Sequence, residues 1–107
     1  ALGVYAKGTA VVGRCTNIEV RDCGGSGVDA NDGASITLIG AKTTVHGNCT
    51  DGDSNSYGLN VVGSSSTIQL VPPLTKENVS INNGGGGNYG ADNGSCQRFK
   101  GMFIYKT

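Results

Sequence analysis

The stretch Gly27-Val28-Asp29-Ala30-Asn31-Asp32-Gly33 carries a pattern that this chain repeats. Each copy opens on Gly, alternates small apolar residues with a polar one, and returns to Gly a few residues later. Further copies open at Gly3 and Gly58, and a more degenerate copy opens at Gly90. The opening glycines are spaced by 24, 31 and 32 residues. Recurrence at this period is typical of solenoid proteins.

The composition supports a single all-β domain over residues 1–107. Val, Ile and Thr recur in short runs, which favours strands, and no long tracts of helix-forming residues occur. The 19 glycines follow no collagen period. Because the formal net charge is zero, binding to nucleic acid or to an anionic membrane is not expected. No apolar run approaches the ~20 residues of a membrane span, so none is predicted.

Each repeat divides into three short strands bounded by Gly-rich corners. They are predicted at 4–7, 9–12 and 17–21, at 28–31, 35–39 and 43–46, and at 59–62, 67–71 and 78–81. No Asn-Gly or Asp-Gly pair joins two adjacent strands, so tight hairpins are not expected. Each strand should instead pair in parallel with its copy about 4.8 Å away in the next coil. The last strands carry matching inward pairs, Ile18/Val20, Thr43/Val45 and Val79/Ile81.

The predicted fold is therefore an all-β, right-handed parallel β-helix of about three to four short coils with a C-terminal capping strand. The coils are assigned to 1–94 and the cap to 95–107. This last segment contains both Phe residues and the only Met, and the open end of a solenoid requires a cap. A subunit interface is a second, compatible role for it.

Two insertions, at 50–57 and 71–76, interrupt the repeats, and solenoid insertions often lie on the binding side. The first repeat begins two residues after Ala1, without a Met or a polar cap. We therefore expect the chain to be a fragment of a longer solenoid or a processed protein.

A resemblance supports this fold. Gly58-Leu59-Asn60-Val61-Val62-Gly63-Ser64-Ser65-Ser66-Thr67-Ile68-Gln69-Leu70, echoed by Asn17-Ile18-Glu19-Val20-Arg21-Asp22, resembles right-handed parallel β-helix repeats. Such repeats occur in pectate lyases, alginate epimerases, phage tailspikes, and capsid or spike proteins of large viruses. The resemblance covers nearly the whole chain but includes no catalytic signature, and a shared fold does not imply a shared function.

One row of outward side chains is the main candidate binding site. Two residues after each opening Gly lie Tyr5, Asp29, Asn60 and Asp92, and Asp32 stands at the corner beside Asp29. In β-helix enzymes that this chain resembles, acidic residues on such a face bind calcium or abstract a proton from a uronic acid. The alternative is an ordinary solvated face of the sheet.

Asp51, Asp53 and Asn55 have the spacing of the first half of a calcium loop. The expected glycine at the sixth position and the acid at the twelfth are replaced by Ser56 and Val62. No cofactor is expected overall; calcium at this loop is one interpretation, and the alternative is a loop whose Asx side chains bind their own backbone.

His46 is the only histidine. A general-base role would require a carboxylate beside it, and Glu19 and Arg21 flank the equivalent region of the first coil. The alternative is an ordinary surface histidine.

The four cysteines, Cys15, Cys23, Cys49 and Cys96, form no CxxC pair, so a structural zinc site is not expected. Disulfides between coils and stacked buried thiols both remain open. Asn48, Asn78 and Asn93 lie in glycosylation acceptor patterns, which matter only in a secreted protein.

The first functional hypothesis is a non-enzymatic structural or assembly module of a viral capsid, a spike or a secreted surface protein. Its partners would be protein subunits or flanking domains of the same chain, and its location extracellular or in a virion. The alternative is a carbohydrate-binding or polysaccharide-active β-helix fragment, similar to a lyase or an epimerase.

Overall fold

The computed structural model describes residues 3–63 and 65–91. Within them the chain forms short strands and one four-residue helix. In chain order these are β1 (Val4–Lys7), β2 (Val12–Thr16), β3 (Glu19–Arg21), β4 (Val28–Asn31), β5 (Ser35–Ile39), β6 (Thr44–His46), β7 (Tyr57–Val62), β8 (Thr67–Leu70), α1 (Lys76–Val79), β9 (Ser80–Ile81) and β10 (Gly87–Ala91).

The strands form three parallel sheets. The first sheet has the order β1-β4-β7-β10, the second β2-β5-β8 and the third β3-β6-β9. Each strand pairs with the strand three positions later, so the chain visits the sheets in the same order in repeat one (β1–β3), repeat two (β4–β6) and repeat three (β7–β9). The predicted all-β class and the parallel pairing of each strand with its copy are confirmed.

Apolar side chains from all three sheets form one core cluster. Across repeats two and three they stack in register: Val28 on Leu59, Ala30 on Val61, Ile36 on Ile68 and Leu38 on Leu70. All eight are at most 1% exposed. Full burial of a Val, Leu or Ile side chain contributes about 1.5–3 kcal/mol, so these stacks stabilise the pairing of the two repeats.

The corners between sheets share one backbone feature. The residue directly after a strand has a positive φ in eight cases, a conformation that Gly, Asn and Asp adopt most readily. These residues are Gly8, Asp32 and Gly63 after the first sheet, Asn17 and Gly40 after the second, and Asp22, Gly47 and Asn82 after the third. Gly thus occupies four of these corners, and Asn and Asp share this role with it.

The opening glycines are required for a different reason. Gly3, Gly27 and Gly58 do not have positive φ, but each lies against side-chain or backbone atoms that leave no room for a Cβ. A Cβ on Gly27 would lie 2.6 Å from Val45 Cγ1 and 2.8 Å from the Gly58 carbonyl oxygen. Glycine therefore allows the backbone of the first sheet to approach the third sheet closely.

Two predicted strands are displaced. The second strand begins at Val12 rather than at residue 9, because Ala10 has φ of 67° and the Val11 N–H bonds the Gly8 carbonyl in a turn. The last strand of repeat three is shifted by one residue: Ser80 pairs with Val45, and Ile81 pairs with His46. Of the predicted inward pair, Val79 is buried as expected, whereas the inward position predicted for Ile81 is wrong, since Ile81 is 41% exposed.

The helix α1 explains this shift. Thr75 and Asn78 form a capping box, with the Thr75 hydroxyl accepting from the Asn78 N–H and the Asn78 side chain accepting from the Thr75 N–H. Val79 is fully buried, but it belongs to the helix rather than to a strand. The third strand of repeat three can therefore begin only at Ser80.

Candidate functional site

The predicted polar row lies on the first sheet, where Tyr5 pairs with Asp29 and Asp29 with Asn60. The Asn60 side-chain Nδ2 donates a hydrogen bond to Asp29 Oδ2 over 3.1 Å. The row differs from the expected solvated face, because Asp29 and Asn60 are only 7% and 6% exposed, whereas Tyr5 is 48% exposed. The amide and the carboxylate thus link neighbouring strands, and Tyr5 is the open member of the row.

The fourth position of this row is Gly90, which pairs with Asn60. The repeat therefore opens two residues earlier than predicted, and the expected alignment of Asp92 with Asn60 is wrong. Asp92 itself lies outside the described residues, as do the predicted cap at 95–107, Asn93 and Cys96.

Asp32 occupies a corner and not the row. Its φ is 54°, and its carboxylate forms an ion pair with Lys7 at 3.7 Å. Both side chains are more than half exposed, and pairs of this kind contribute at most about 1 kcal/mol. The structure therefore directs Asp32 towards repeat one rather than towards Asp29.

The residues of the predicted calcium loop bind their own backbone. Asp51 Oδ1 accepts from the Asp53 N–H and Asp53 Oδ1 accepts from the Asn55 N–H, each over 2.9 Å. These are Asx turns, as the alternative interpretation expected. Within residues 3–63 and 65–91, no three His, Cys, Asp or Glu side chains gather in a way that could hold a metal ion.

Glu19 and His46 meet on the third sheet. His46 Nε2 lies 2.8 Å from Glu19 Oε2, and Arg21 Nε lies 3.8 Å from Glu19 Oε1. The hydrogen bond from His46, assisted by the charges of Arg21 and His46, holds the pKa of Glu19 below its ordinary value. A carboxylate is thus present beside His46, and both interpretations of this histidine, a surface residue and a general base, stay as the sequence left them.

The described cysteines are free thiols. Cys15 and Cys23 are partly exposed, whereas Cys49 is 1% exposed. Burial, together with the charges of Asp51 and Cys23, raises the pKa of Cys49 to about 11. The sequence left open disulfides between coils and unpaired thiols, and in the structure Cys15, Cys23 and Cys49 are unpaired.

Asparagines after the third sheet form a hydrogen-bonded ladder that the sequence patterns did not reveal. Asn48 donates to the Val20 carbonyl and to Asn83 Oδ1, both over 3.0 Å, and accepts from the Cys23 N–H over 3.1 Å. Asn83 in turn donates to the Val45 carbonyl over 3.2 Å. Asn48 and Asn83 each follow a positive-φ corner residue, and this repeated order is the signal that could have identified them.

The ladder also bears on the glycosylation patterns. Asn48 is 1% exposed with its amide hydrogen-bonded, so the folded protein leaves no room for a glycan there. Asn78 is exposed, although its side chain caps α1.

Among residues 3–63 and 65–91, the sheets are open at the end formed by repeat one. β1, β2 and β3 are edge strands, and a cavity of about 310 Å³ lies between them, lined by Gly3, Val4, Cys15, Ile18, Glu19, Val20, Arg21 and Cys23. Val4 is partly exposed, whereas Val28, its partner one repeat later, is fully buried. Unpaired strand edges around an apolar cavity are able to accept another chain.

The opposite side of the stack is closed among the described residues. Leu70 is 1% exposed, Leu74 in the following loop 3%, and Val79 of α1 0%. The loop and the helix thus cover the core where repeat three ends.

None of the helices in the described part of the chain is long and apolar enough to span a membrane. Comparisons with protein-family models, with curated proteins and with solved structures gave no match to this chain.

Proposed function

We propose that the chain is a right-handed parallel β-helix and serves as a non-enzymatic structural module that joins protein subunits, or flanking parts of a longer chain, end to end. The observation that carries this proposal is the open end of repeat one, with three edge strands around an apolar cavity. Edges of this kind are normally blocked in a protein that acts alone. A further β-coil placed there would continue all three sheets.

The candidate site residues also favour a structural role. Asn48 and Asn83 bridge repeats, Asn60 binds Asp29 across two strands, and Asp51 and Asp53 bind their own loop. Such contacts hold the backbone in place and do not gather free functional groups in one cleft. The resemblance to capsid and spike repeats supports a location in a virion or on a secreted surface protein.

The alternative, a carbohydrate-binding or polysaccharide-active fragment, has one supporting observation. Tyr5 offers an exposed aromatic face next to the Lys7–Asp32 ion pair, and sugars stack on such faces. The other described tyrosines are engaged, since the Tyr57 ring lies against Gly86 and Gly90, and Lys76 Nζ lies 4.7 Å from the Tyr89 ring centre. Binding of alginate or pectin that is lost in Tyr5→Ala would favour this alternative.

The structural proposal can be tested by adding a coil. A tandem duplication of residues 3–26 before Gly3 would give repeat one a neighbour, with Cys15→Ser and Cys23→Ser in the added copy. The original Cys15 should then react with a maleimide at least about tenfold more slowly, because local opening would have to precede labelling. A Gly/Ser extension of the same length is the control. Equal labelling rates in the duplicated chain and the control would contradict the proposal.

A further inference from the structure

In the described part of the chain, the repeat-one end presents three edge strands around partly exposed core side chains, Val4, Cys15 and Ile18. At the other end of these residues, Leu70, Leu74 and Val79 are buried, so a head-to-tail contact between copies would not reach core side chains there. The same open end on a second copy presents three edge strands and a matching cavity. We propose that two copies of this chain associate through the repeat-one ends, related by a twofold axis; this inference rests on the proposed structural function.

The strand directions determine how such ends can meet. The chain passes around the end through β1, β2 and β3, and a twofold axis lying in the plane of the end reverses this direction in the second copy. Strands that meet across the interface are therefore antiparallel. An axis through the middle of β3 places β3 against the partner's β3 and β1 against the partner's β2, and such an interface is self-complementary.

The charges on β3 fit this arrangement. The strand reads Glu19-Val20-Arg21, with both charged side chains more than half exposed and Val20 buried between them. With the axis at Val20, Glu19 lies opposite the partner's Arg21, and Arg21 lies opposite the partner's Glu19. Directly opposed charges of unlike sign stabilise antiparallel pairs.

The other strands give compatible pairs. The register that places Val4 opposite the partner's Cys15 also places Tyr5 opposite the partner's Arg14. Val4 and Cys15 line the cavity, so their contact would shield it from water. Tyr5 and Arg14 are exposed side chains of outer-face rows, and an arginine can stack on the tyrosine ring. All three sheets would thus continue into the second copy.

The proposal predicts the mass of the protein in solution. Light scattering after size exclusion should give twice the monomer mass of 10.8 kDa, with dissociation favoured by high salt because exposed ion pairs are screened. Glu19→Arg places Arg against Arg, and Arg21→Glu places Glu against Glu, so each variant alone should be monomeric. An equimolar mixture of the two variants should form a heterodimer, and the double variant should dimerise again.

Controls separate these effects from misfolding. Glu77→Arg makes the same charge change on α1, away from the open end, and should leave the dimer intact. Thermal unfolding of each variant establishes that it is folded, and Arg21→Glu retains the Glu19–His46 contact that Glu19→Arg removes.

Several results would overturn the twofold association: a wild-type monomer up to millimolar concentration, a larger open-ended assembly, or a mixture of variants that remains monomeric. None of these three results decides the structural function. That function is tested separately by the slower labelling of Cys15 in the duplicated chain, which is measured at a dilution where the chain is monomeric. Conversely, a dimer that survives both single charge reversals would show that the two copies meet elsewhere.

Discussion

Replacement of Asn48 by Ala tests whether the asparagine ladder holds the repeats together. The substitution removes two donated hydrogen bonds, to the Val20 carbonyl and to Asn83 Oδ1, and one accepted from the Cys23 N–H. Each such bond contributes about 0.5–1.5 kcal/mol, and a buried group left unpaired costs about 1–3 kcal/mol. We therefore expect Asn48→Ala to lower the free energy of unfolding by about 2–4 kcal/mol.

Urea unfolding followed by circular dichroism measures this loss. Asn55→Ala is the matched control, since Asn55 is exposed and the change should cost less than about 0.5 kcal/mol. Asn48→Asp keeps the size and the acceptor for Cys23 but removes both donors and buries a carboxylate. It should therefore be more destabilising at neutral pH than at acidic pH, where protonation restores a donor.

If Asn48→Ala cost no more than Asn55→Ala, the asparagine ladder would not be what holds the repeats together. In that case the parallel strand pairing alone would hold repeats one, two and three together. An unchanged dependence on urea concentration in Asn48→Ala would show that the variant unfolds as the same cooperative unit.

Three further measurements test the geometry. Gly27→Ala should lower the free energy of unfolding by about 1–3 kcal/mol, because its Cβ would overlap Val45 Cγ1. Gly13→Ala is the control and should be close to neutral, since its Cβ would lie 3.8 Å from Ile36 Cγ1. Equal losses for the two variants in urea unfolding would contradict the close approach at Gly27. The hydrogen bond from His46 lowers the folded-state pKa of Glu19, so its contribution is present above the ordinary glutamate pKa and is lost as the pH falls through the folded-state pKa. The melting temperatures of wild type and Glu19→Gln should therefore converge on acidification, and a difference that stays constant from neutral to acidic pH would oppose this. At pH 8, Cys49 should be alkylated at least about tenfold more slowly than Cys15, because the pKa of Cys49 is about 11 and its side chain is buried. Peptide mass spectrometry measures both rates, and comparable rates would count against the burial of Cys49.

Repeat two was the most predictable part of the chain. Its first two strands, Val28–Asn31 and Ser35–Ile39, have the bounds that the sequence predicts. Both strands alternate apolar and polar residues, and both end at a corner residue that adopts positive φ readily. Local pattern and backbone preference agree there, and the structure follows them.

Repeat three shows where local pattern is insufficient. Val79 and Ile81 have strand-like alternation, but the capping box of Thr75 and Asn78 begins a helical turn that displaces the strand by one residue. A shift of one residue moves each side chain to the other face of a sheet. The pattern of the strand alone could not reveal the competing helix.

The sequence predicted which residues share the row of the candidate site, but it did not predict that two of them are buried. Pairing of Tyr5, Asp29 and Asn60 follows from the repeat, whereas the burial of Asp29 and Asn60 depends on contacts far apart in sequence. The contact between Glu19 and His46 likewise requires the register of two strands 27 residues apart. The spacing of the repeats placed Glu19 and His46 in equivalent regions of two coils but did not predict their hydrogen bond.

The corner after β8 differs from the other corners of the stack. Here the strand is followed by Val71 rather than by a positive-φ residue, and the chain makes its excursion through Leu74 and α1 before rejoining the third sheet. The segment between β6 and β7, residues 47–56, is also longer than its equivalent 22–27 in repeat one, and the first-sheet strands stay in register across it. Such a repeat can therefore lengthen at the β8 corner as well as between the third and first sheets, and a peptide epitope inserted after β8 would be displayed with the three sheets undisturbed.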